Sequence, residues 1–537
     1  MQEQNKSSFF DPKTILALVL VGAVWFGWQT YLTKKYPNYN KPAQKTATTE
    51  TTTTAAPTTG ETTVGTPGQT VETKSTPGQV VAEKSFDFKD DNISFTITNH
   101  GMGLKNVVLN KYVDYDKNPI KVGQSDTESL FELKLAAQAA PVNFDLKEEA
   151  PGQYVGTAQV GESTVTRTLK YDVEKQAFTN KVVIEKPSAE IAQGVTLVIP
   201  EKVTVPQSTS FLMPSYQHQD FFVKHNGGKS ETVNFSSAKE NVAKSFPQVS
   251  LLSASTQYFS AAIVDKSEII PETALHSNVA AKTAYAELIY KPAQASQTIA
   301  LEQILYAGPK SIETLKAIDP ELPSIIDHGF FGFIARPLLY IMKAFYTVVG
   351  NWGLAIICLT LLVRLCVLPF ALMSAKSMKA MQEIQPLLQT LREKYKDDPM
   401  ALNRETMALM KEHKANPIGG CLPMLLQIPV FFALYRVIGS SIELYHSPFY
   451  GWIHDLSSAD KFYVLPILMG GTMFLQQKMT PTTMDPAQAK IMAFLPLVFI
   501  LFMLQLPSGL TLYMTVSAIF GITQQFFFLR DSKKATA

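Results

Sequence analysis

The sequence predicts a polytopic α-helical membrane protein. It has six spans, five of them forming a helical core, with a large all-β sandwich domain outside the cytoplasm and a helical hairpin on the cytoplasmic side. Three observations carry this expectation. Residues 14–32 and 349–529 are strongly apolar, whereas 41–320 are ordinary and polar. From about 85 to 308, apolar residues recur with period two. Lysine and arginine crowd into alternate loops of the apolar region. The 537 residues suffice for several domains, and a net charge of +2 is too small to argue for a specific nucleic acid partner. All three cysteines, Cys358, Cys366 and Cys421, lie in or beside apolar segments, so neither a disulfide framework nor a thiol–metal site is expected.

Residues 1–32 read as an uncleaved membrane anchor. Its apolar stretch, Thr14 to Leu32, ends in Trp25, Trp28 and Tyr31, as an interfacial belt would place them, and no Ala-x-Ala-like cleavage site follows. Residues 33–84 read as a flexible tether. The stretch 41–84 holds 15 threonines and no aromatic residue, and Thr66-Pro67-Gly68-Gln69 recurs as Thr76-Pro77-Gly78-Gln79, so it cannot bury enough apolar surface to offset chain entropy.

Residues 85–310 alternate as strands do. Ile93, Phe95 and Ile97 alternate with polar residues, as do Val195, Leu197 and Ile199, and in part Val165, Arg167, Leu169 and Tyr171. Turn signals such as Asn99-His100-Gly101 and Asn226-Gly227-Gly228 separate the runs, which predicts an antiparallel sandwich or barrel. Residues 311–348 then turn helical. Phe330, Phe331, Phe333, Ile334, Leu338, Leu339, Ile341, Met342 and Phe345 are too aromatic for a soluble surface, and Arg336 and Lys343 supply a polar side. A helix lying in the membrane interface fits, kinked or restarted at Pro337.

The core, 349–529, contains five apolar stretches at about 349–371, 420–439, 462–477, 491–506 and 508–529. The loop 374–418 holds eight basic residues, 478–490 holds Lys478 and Lys490, and the short tail 530–537 holds Arg530, Lys533 and Lys534. The opposite loop, 440–461, holds Lys461 alone, which puts both termini and 374–418 in the cytoplasm. Arg436, near the outer end of its stretch, runs against this rule. Within 374–416, Met381, Ile384, Leu388, Leu391 and Tyr395 follow 3-4-3-4 spacing, the stripe of a helix seeking a partner. Met400, Met407 and Met410 stripe a second helix that opens at Asp398-Pro399 and stops at Asn416-Pro417, so the segment reads as a helical hairpin.

The sharpest single residue is Arg364. It lies inside the apolar run Trp352–Phe370, roughly 9 Å from that end, where a charge costs on the order of 3 kcal/mol on insertion scales. Its head either snorkels to the interface or faces a wet cavity between helices. Thr360, one turn earlier, shares its face. Polar residues such as Gln427, Thr511, Tyr513, Thr515 and Ser517 suit hydrogen bonds between helices or the lining of such a groove. The spans contain no Asp or Glu, which coupled transporters commonly need. His218, Asp220 and His225 lie on a polar stretch and are more simply surface residues than metal ligands. Gly228-Lys229-Ser230 lacks the glycine a phosphate-binding loop requires, because that position is Val223.

Five signatures then carry a resemblance: Asn416-Pro417-Ile418-Gly419-Gly420-Cys421-Leu422-Pro423, Trp452-Ile453-His454-Asp455-Leu456, Leu465-Pro466-Ile467-Leu468-Met469-Gly470, Lys478-Met479-Thr480-Pro481 and Pro507-Ser508-Gly509-Leu510. Together they resemble the Oxa/YidC family of bacterial membrane protein insertases over about 330–530. The layout before that resembles the family's Gram-negative form. The resemblance implies a monomer-competent insertase of the inner membrane, with its β domain, a β-supersandwich, in the periplasm. Five core helices would enclose a hydrophilic groove open to cytoplasm and lipid.

It implies that Arg364, Thr360 and Gln427 line the groove, with Tyr513 and Met514 on the groove side. Met514 stands where an aromatic residue is often found. A substrate slide would fall near Ile428, Pro429, Phe432, Phe499 and Phe502. Implied partners are nascent inner-membrane proteins, membrane lipid, SecYEG and accessory Sec subunits, with the ribosome and signal-recognition targeting factors at the hairpin. The seven residues after Arg530 leave no long basic ribosome-binding extension. No catalysis and no cofactor are expected. The rival readings are a transporter or channel, which predicts a through-pore, and a membrane-anchored periplasmic binding module, which leaves five further spans without a purpose.

Overall fold

A computed structural model describes residues 83–135, 141–204, 218–236, 238, 240–292, 298–395, 398–413, 422–479 and 486–536. The expected anchor, all but the last two residues of the expected tether, and the Asn416-Pro417 stop lie outside them.

The β domain runs from Ser85–Lys89 to Thr298–Pro309 and is built of three antiparallel sheets. A four-stranded sheet holds Ser85–Lys89, Ile93–Thr98, Leu104–Val113 and Pro119–Lys121 in chain order. A five-stranded sheet has Thr283–Tyr290 and Val195–Lys202 side by side, in register from Val195 opposite Tyr290 to Lys202 opposite Thr283. A nine-stranded sheet is centred on Thr298–Pro309 between Phe259–Asp265 and Ala177–Glu185. The inward side chains of all three meet in one core, which includes Ile97, Leu169, Leu197, Phe221, Leu288 and Leu301.

Alternation holds for Ile93, Phe95 and Ile97, which are buried with half-buried Ser94 and Thr96 between them. It fails for Val195–Ile199, where Thr196 and Val198 are buried as well. This strand has a neighbour on each edge and cover on both faces, so period two is lost. Arg167 keeps its inward register and is fully buried. Its Nε donates to Asn180 Oδ1 (2.8 Å) and its Nη1 to the Gly101 carbonyl (2.6 Å), which offset part of its desolvation. Burial pulls the guanidinium down to about 9, with Glu132 opposing.

The chain leaves the β domain through α1 (Ile312–Ile318), capped by the Ser311 side chain, and a 3-10 turn, Leu322–Ile325. Leu315, Leu322, Ile325 and Ile326 pack on Phe222, Leu251 and Tyr306 of the large sheet, forming a separate small core. Helix α2 (Gly332–Val349) follows, with Pro337 inside its second turn, and ends at Gly350 in a left-handed turn (φ 65°). It lays Ala335, Leu338, Leu339 and Met342 on the helical core and leaves Phe333, Tyr340 and Val348 exposed.

Helix α3 (Trp352–Lys394) departs from expectation. The span and the first arm of the hairpin form one helix of 43 residues that passes through Pro369 and Pro386. Helix α4 (Pro399–Glu412) returns along it, capped by Asp398, whose carboxylate accepts from Met400 and Ala401. Met381, Ile384 and Leu388 bury their stripe against Leu409 and Met410. Of the expected methionine stripe only Met410 packs against α3. Met400 and Met407 are 85% and 53% exposed, because the face of α4 that meets α3 is the one carrying Leu409 and Met410.

Four helices complete the core: α5 (Leu422–Ser440), α6 (Val464–Met479), α7 (Pro486–Met503) and α8 (Ser508–Thr536). Close approaches set their packing. A Cβ on Gly353 would overlap Phe449, and one on Gly470 would overlap Ile500. Among the described residues two helices are long and apolar enough to cross a membrane: Gly332–Val349, with mean hydropathy 1.2, and Trp352–Met381, with 2.5. Helix α6 has 16 residues, and α8 carries Thr511, Thr515, Ser517 and Thr523 among its apolar positions.

Candidate functional site

The side chain of Arg364 points between helices. Its Nε donates to Ser517 Oγ of α8 at 2.7 Å, and Ser517 is itself buried. One turn before Ser517, Tyr513 is buried too, and its hydroxyl accepts from Gln427 Nε2 of α5. Arg364, Ser517, Tyr513 and Gln427 therefore bring three helices to one polar patch. The Gln427 Oε1 is buried with no partner among the described residues, so the patch has an acceptor to spare. Thr360 lies elsewhere in effect. It is fully buried, and its hydroxyl donates to the Ile356 carbonyl (2.6 Å) in the preceding turn. This bond satisfies the donor and turns the side chain into packing.

A gradient of burial passes through the patch. Toward the 441–461 loop, Ala355, Ile356, Leu359, Ala433, Leu434 and Leu510 are all buried. Toward the hairpin, Leu365, Phe370 and Met373 are 56%, 45% and 63% exposed, and Cys366 is exposed. The loop closes the first end by hydrogen bonds to the start of α8. Ser508 N donates to the Ser458 carbonyl (2.7 Å) and Gly509 N to the Leu456 carbonyl (2.9 Å), while Ile453 and Leu456 fill the space beneath. Asp460 pins the same loop to α6 through Leu465 N (2.8 Å).

The remaining predicted positions divide by exposure. Ile428 and Phe432 on α5 are 41% and 44% exposed, and the Phe432 ring stacks at 6.1 Å on Phe331, the cap residue of α2. Pro429, Phe499, Phe502 and Met514 are half-buried, the last three packed against the helical core. Ser517 was legible as a polar residue in a span. Tyr513 and Ser517 are four apart, hence on one face of α8, but the link from Ser517 to Arg364 joins two helices and is a matter of packing. His218 and Asp220 lie 3.5 Å apart while the His225 ring bonds the Pro247 carbonyl, and the described residues hold no cluster of three or more metal-ligating groups.

An apolar helical core with a partly buried polar patch, fused to an antiparallel β domain, defines the class: a multi-helix membrane protein with an appended sandwich. Residues 85–341 match the family model for the YidC periplasmic domain, and residues 344–535 match that for the 60Kd inner membrane protein. The chain belongs to the YidC family. It is 52% identical over 231 residues to a membrane protein insertase YidC of Geobacter sp. (strain M21), and 48% identical over 234 residues to that of Vibrio cholerae serotype O1. Each alignment covers 43% of this chain and 43% of the relative. A solved structure of an active YidC insertase with its first transmembrane domain resolved aligns over 83% of this chain and 92% of its own, at 17% identity and a TM-score of 0.38.

Proposed function

We propose that this protein is a membrane protein insertase of the bacterial inner membrane. In this reading it inserts and folds nascent inner-membrane proteins without making or breaking a covalent bond. The relatives named insertases support it. The observation that carries it is the place of Arg364, held by Ser517 where the helical core passes from closed to open.

The physical task is to move a short polar segment across lipid. A groove reaching half-way shortens the apolar path, and Arg364 offers transient pairing to acidic residues in the segment. At an effective dielectric of about 20, a pair at about 4 Å is worth roughly 4 kcal/mol before desolvation, enough to bias a crossing and weak enough to release. The substrate then leaves along Ile428, Pro429 and Phe432 of α5 and Phe499 and Phe502 of α7, drawn by apolar burial. Six spans, both termini in the cytoplasm and the β domain in the periplasm complete the reading, with SecYEG as a partner and the hairpin as the point of capture.

The test is reconstitution of the purified chain with a single-span substrate carrying an acidic or a neutralised N-terminal segment, read by protease protection. Arg364→Lys should keep part of the activity; Arg364→Ala and Arg364→Glu should lose most of it, more for the acidic substrate. Equal loss on both substrates makes the arginine structural, and normal insertion by the alanine variant overturns the mechanism. Topology is tested separately with Ile120→Cys and Tyr395→Cys in intact cells. An impermeant reagent should label position 120 and spare 395.

A further inference from the structure

Arg436 is the charge that the loop pattern does not explain. It sits one turn from the end of α5 nearer the β domain, where basic residues are scarce. The structure gives it a setting. Its guanidinium lies over Gly329, whose backbone is left-handed (φ 65°). A Cβ there would stand 3.3 Å from Arg436 Nε and 3.8 Å from Nη2. One turn earlier, Phe432 stacks on Phe331 with rings tilted by 11°. The segment 329–331 is therefore clamped along α5 by one cation and one ring.

A second exposed cation, Arg336, stands on the first turns of α2, and Lys310 lies buried beneath. His328 feels all three. It is 6% exposed and is pulled down to about 4, first by burial and then by the positive charge of Arg336, with Arg436 and Lys310 adding to it and Asp327 opposing. Asp327 also faces Lys310, as does Asp220. Among the described residues neither Arg336 nor Arg436 has a carboxylate within ion-pair distance. Beside them stand Phe330, Phe333 and Phe432, exposed by 42%, 70% and 44%. Three large rings open to water next to two arginines are poor company for a soluble surface, yet they match a membrane boundary, where rings meet acyl chains and guanidinium groups meet phosphate.

We propose that Arg336 and Arg436 bind the phosphate of an anionic phospholipid headgroup, whose acyl chain lies along Phe330, Phe333 and Phe432. The proposal uses the insertase reading only to name the leaflet, the one facing the periplasm. Guanidinium forks suit phosphate bidentately, and the positive end of α2, whose cap residue Phe331 offers no side-chain acceptor, begins three residues after Gly329, the residue against Arg436. Charge complementarity selects the anionic lipid over a zwitterionic one.

Native mass spectrometry of the full chain, taken from nanodiscs of phosphatidylglycerol and phosphatidylcholine, tests this. Wild-type protein should retain phosphatidylglycerol in preference to phosphatidylcholine. The Arg336→Gln/Arg436→Gln pair should reduce that retention roughly thirtyfold, equivalent to about 1 kcal/mol for each arginine, and the Arg336→Lys/Arg436→Lys pair should keep much of it. Phe333→Ser, at an exposed position, should weaken retention in a protein of unchanged thermal stability. This keeps the proposal open to refutation if the glutamine pair fails to fold. Equal retention of both lipids by the wild type, or undiminished retention in the glutamine pair and in Phe333→Ser, overturns it. Displacement by millimolar inorganic phosphate would assign the corner to a free anion and also overturn it, whereas insertion activity has no bearing on either outcome.

Discussion

Tyr445, in the loop between α5 and α6, donates its hydroxyl to the carbonyl oxygen of Val113 at 2.7 Å, joining the helical core to the end of a strand 332 residues earlier. The same oxygen lies 3.0 Å from His446 Nε2, and His446 Nδ1 lies 2.9 Å from Asp455 Oδ2. An imidazole facing two acceptors donates to both only when both nitrogens carry protons. Tyr115, Tyr258 and Phe259 surround the Tyr445 ring, and Ile442 belongs to the β-domain core. Tyr445→Phe removes one hydrogen bond and keeps the rings, so it should loosen this junction by about 1 kcal/mol. Hydrogen–deuterium exchange should rise at 112–118 and 442–447 together. Exchange confined to one side would mean that the two domains are not held here.

Lys343 makes a second junction. Its Nζ lies 2.6 Å from Glu313 of α1 and 2.6 Å from Glu443 of the loop, so α2 is held to the β-domain exit and to the core by one ammonium. A double-mutant cycle of Lys343→Ala and Glu443→Gln should return a coupling of about 1.5 kcal/mol, because both side chains are largely shielded. Burial lifts the Glu313 carboxyl, but the hydrogen bond from Lys343, its positive charge and the backbone and Ser311 hydrogen bonds together outweigh it and hold the group below its usual range. A carboxylate held low adds stability at neutral pH that disappears as pH falls through the carboxylate range. Thermal unfolding should therefore lose less on acidification in Lys343→Ala than in the wild type.

Ser517 should act through Arg364 rather than alone. Ser517→Ala should reduce insertion of the acidic substrate less than Arg364→Ala does, and the two together should be no worse than Arg364→Ala. Reconstituted insertion by the four proteins measures this. Additive losses would give Ser517 a separate part.

In the β domain, Arg167→Leu should cost about 3 kcal/mol, since Asn180 Oδ1 and the Gly101 carbonyl would stay buried without their donor. Urea unfolding followed by circular dichroism reports it. Insertion by the surviving folded protein should be near normal, because the helical core has its own apolar cluster. A parallel loss of insertion would tie the β domain to the work of the helical core.

Much of this architecture could be read from residue order, and the failures have physical causes. Ile93, Phe95 and Ile97 alternate because one face of their strand is buried, whereas Val195–Ile199 loses the pattern because both faces are. The unbroken length of α3 was hidden by Pro369 and by the charges after Ser374, which suggested an end to the span. A proline removes one hydrogen bond from a helix, and α3 continues past two of them. Thr360 and Arg364 share a face as their spacing requires, yet spacing could not tell that the threonine hydroxyl is spent on Ile356 while the arginine turns to Ser517. Partners on separate helices are matters of packing, and spacing along one helix does not contain them.

The unbroken α3 also has a mechanical meaning. Its 43 residues make a rod of about 65 Å, with Arg364 about 18 Å from the end seated against Phe449 and the hairpin tip at the other. Pivoting at Trp352, a rigid rod pushed about 10 Å at its tip moves Arg364 by about 3 Å. By this geometry a displacement at the hairpin tip reaches the half-buried Arg364 reduced to about a quarter. Pro369, five residues beyond Arg364, frees the Leu365 carbonyl and sets a compliant point between tip and charge. Whatever leans on the hairpin is geared down, and partly absorbed, before it reaches Arg364.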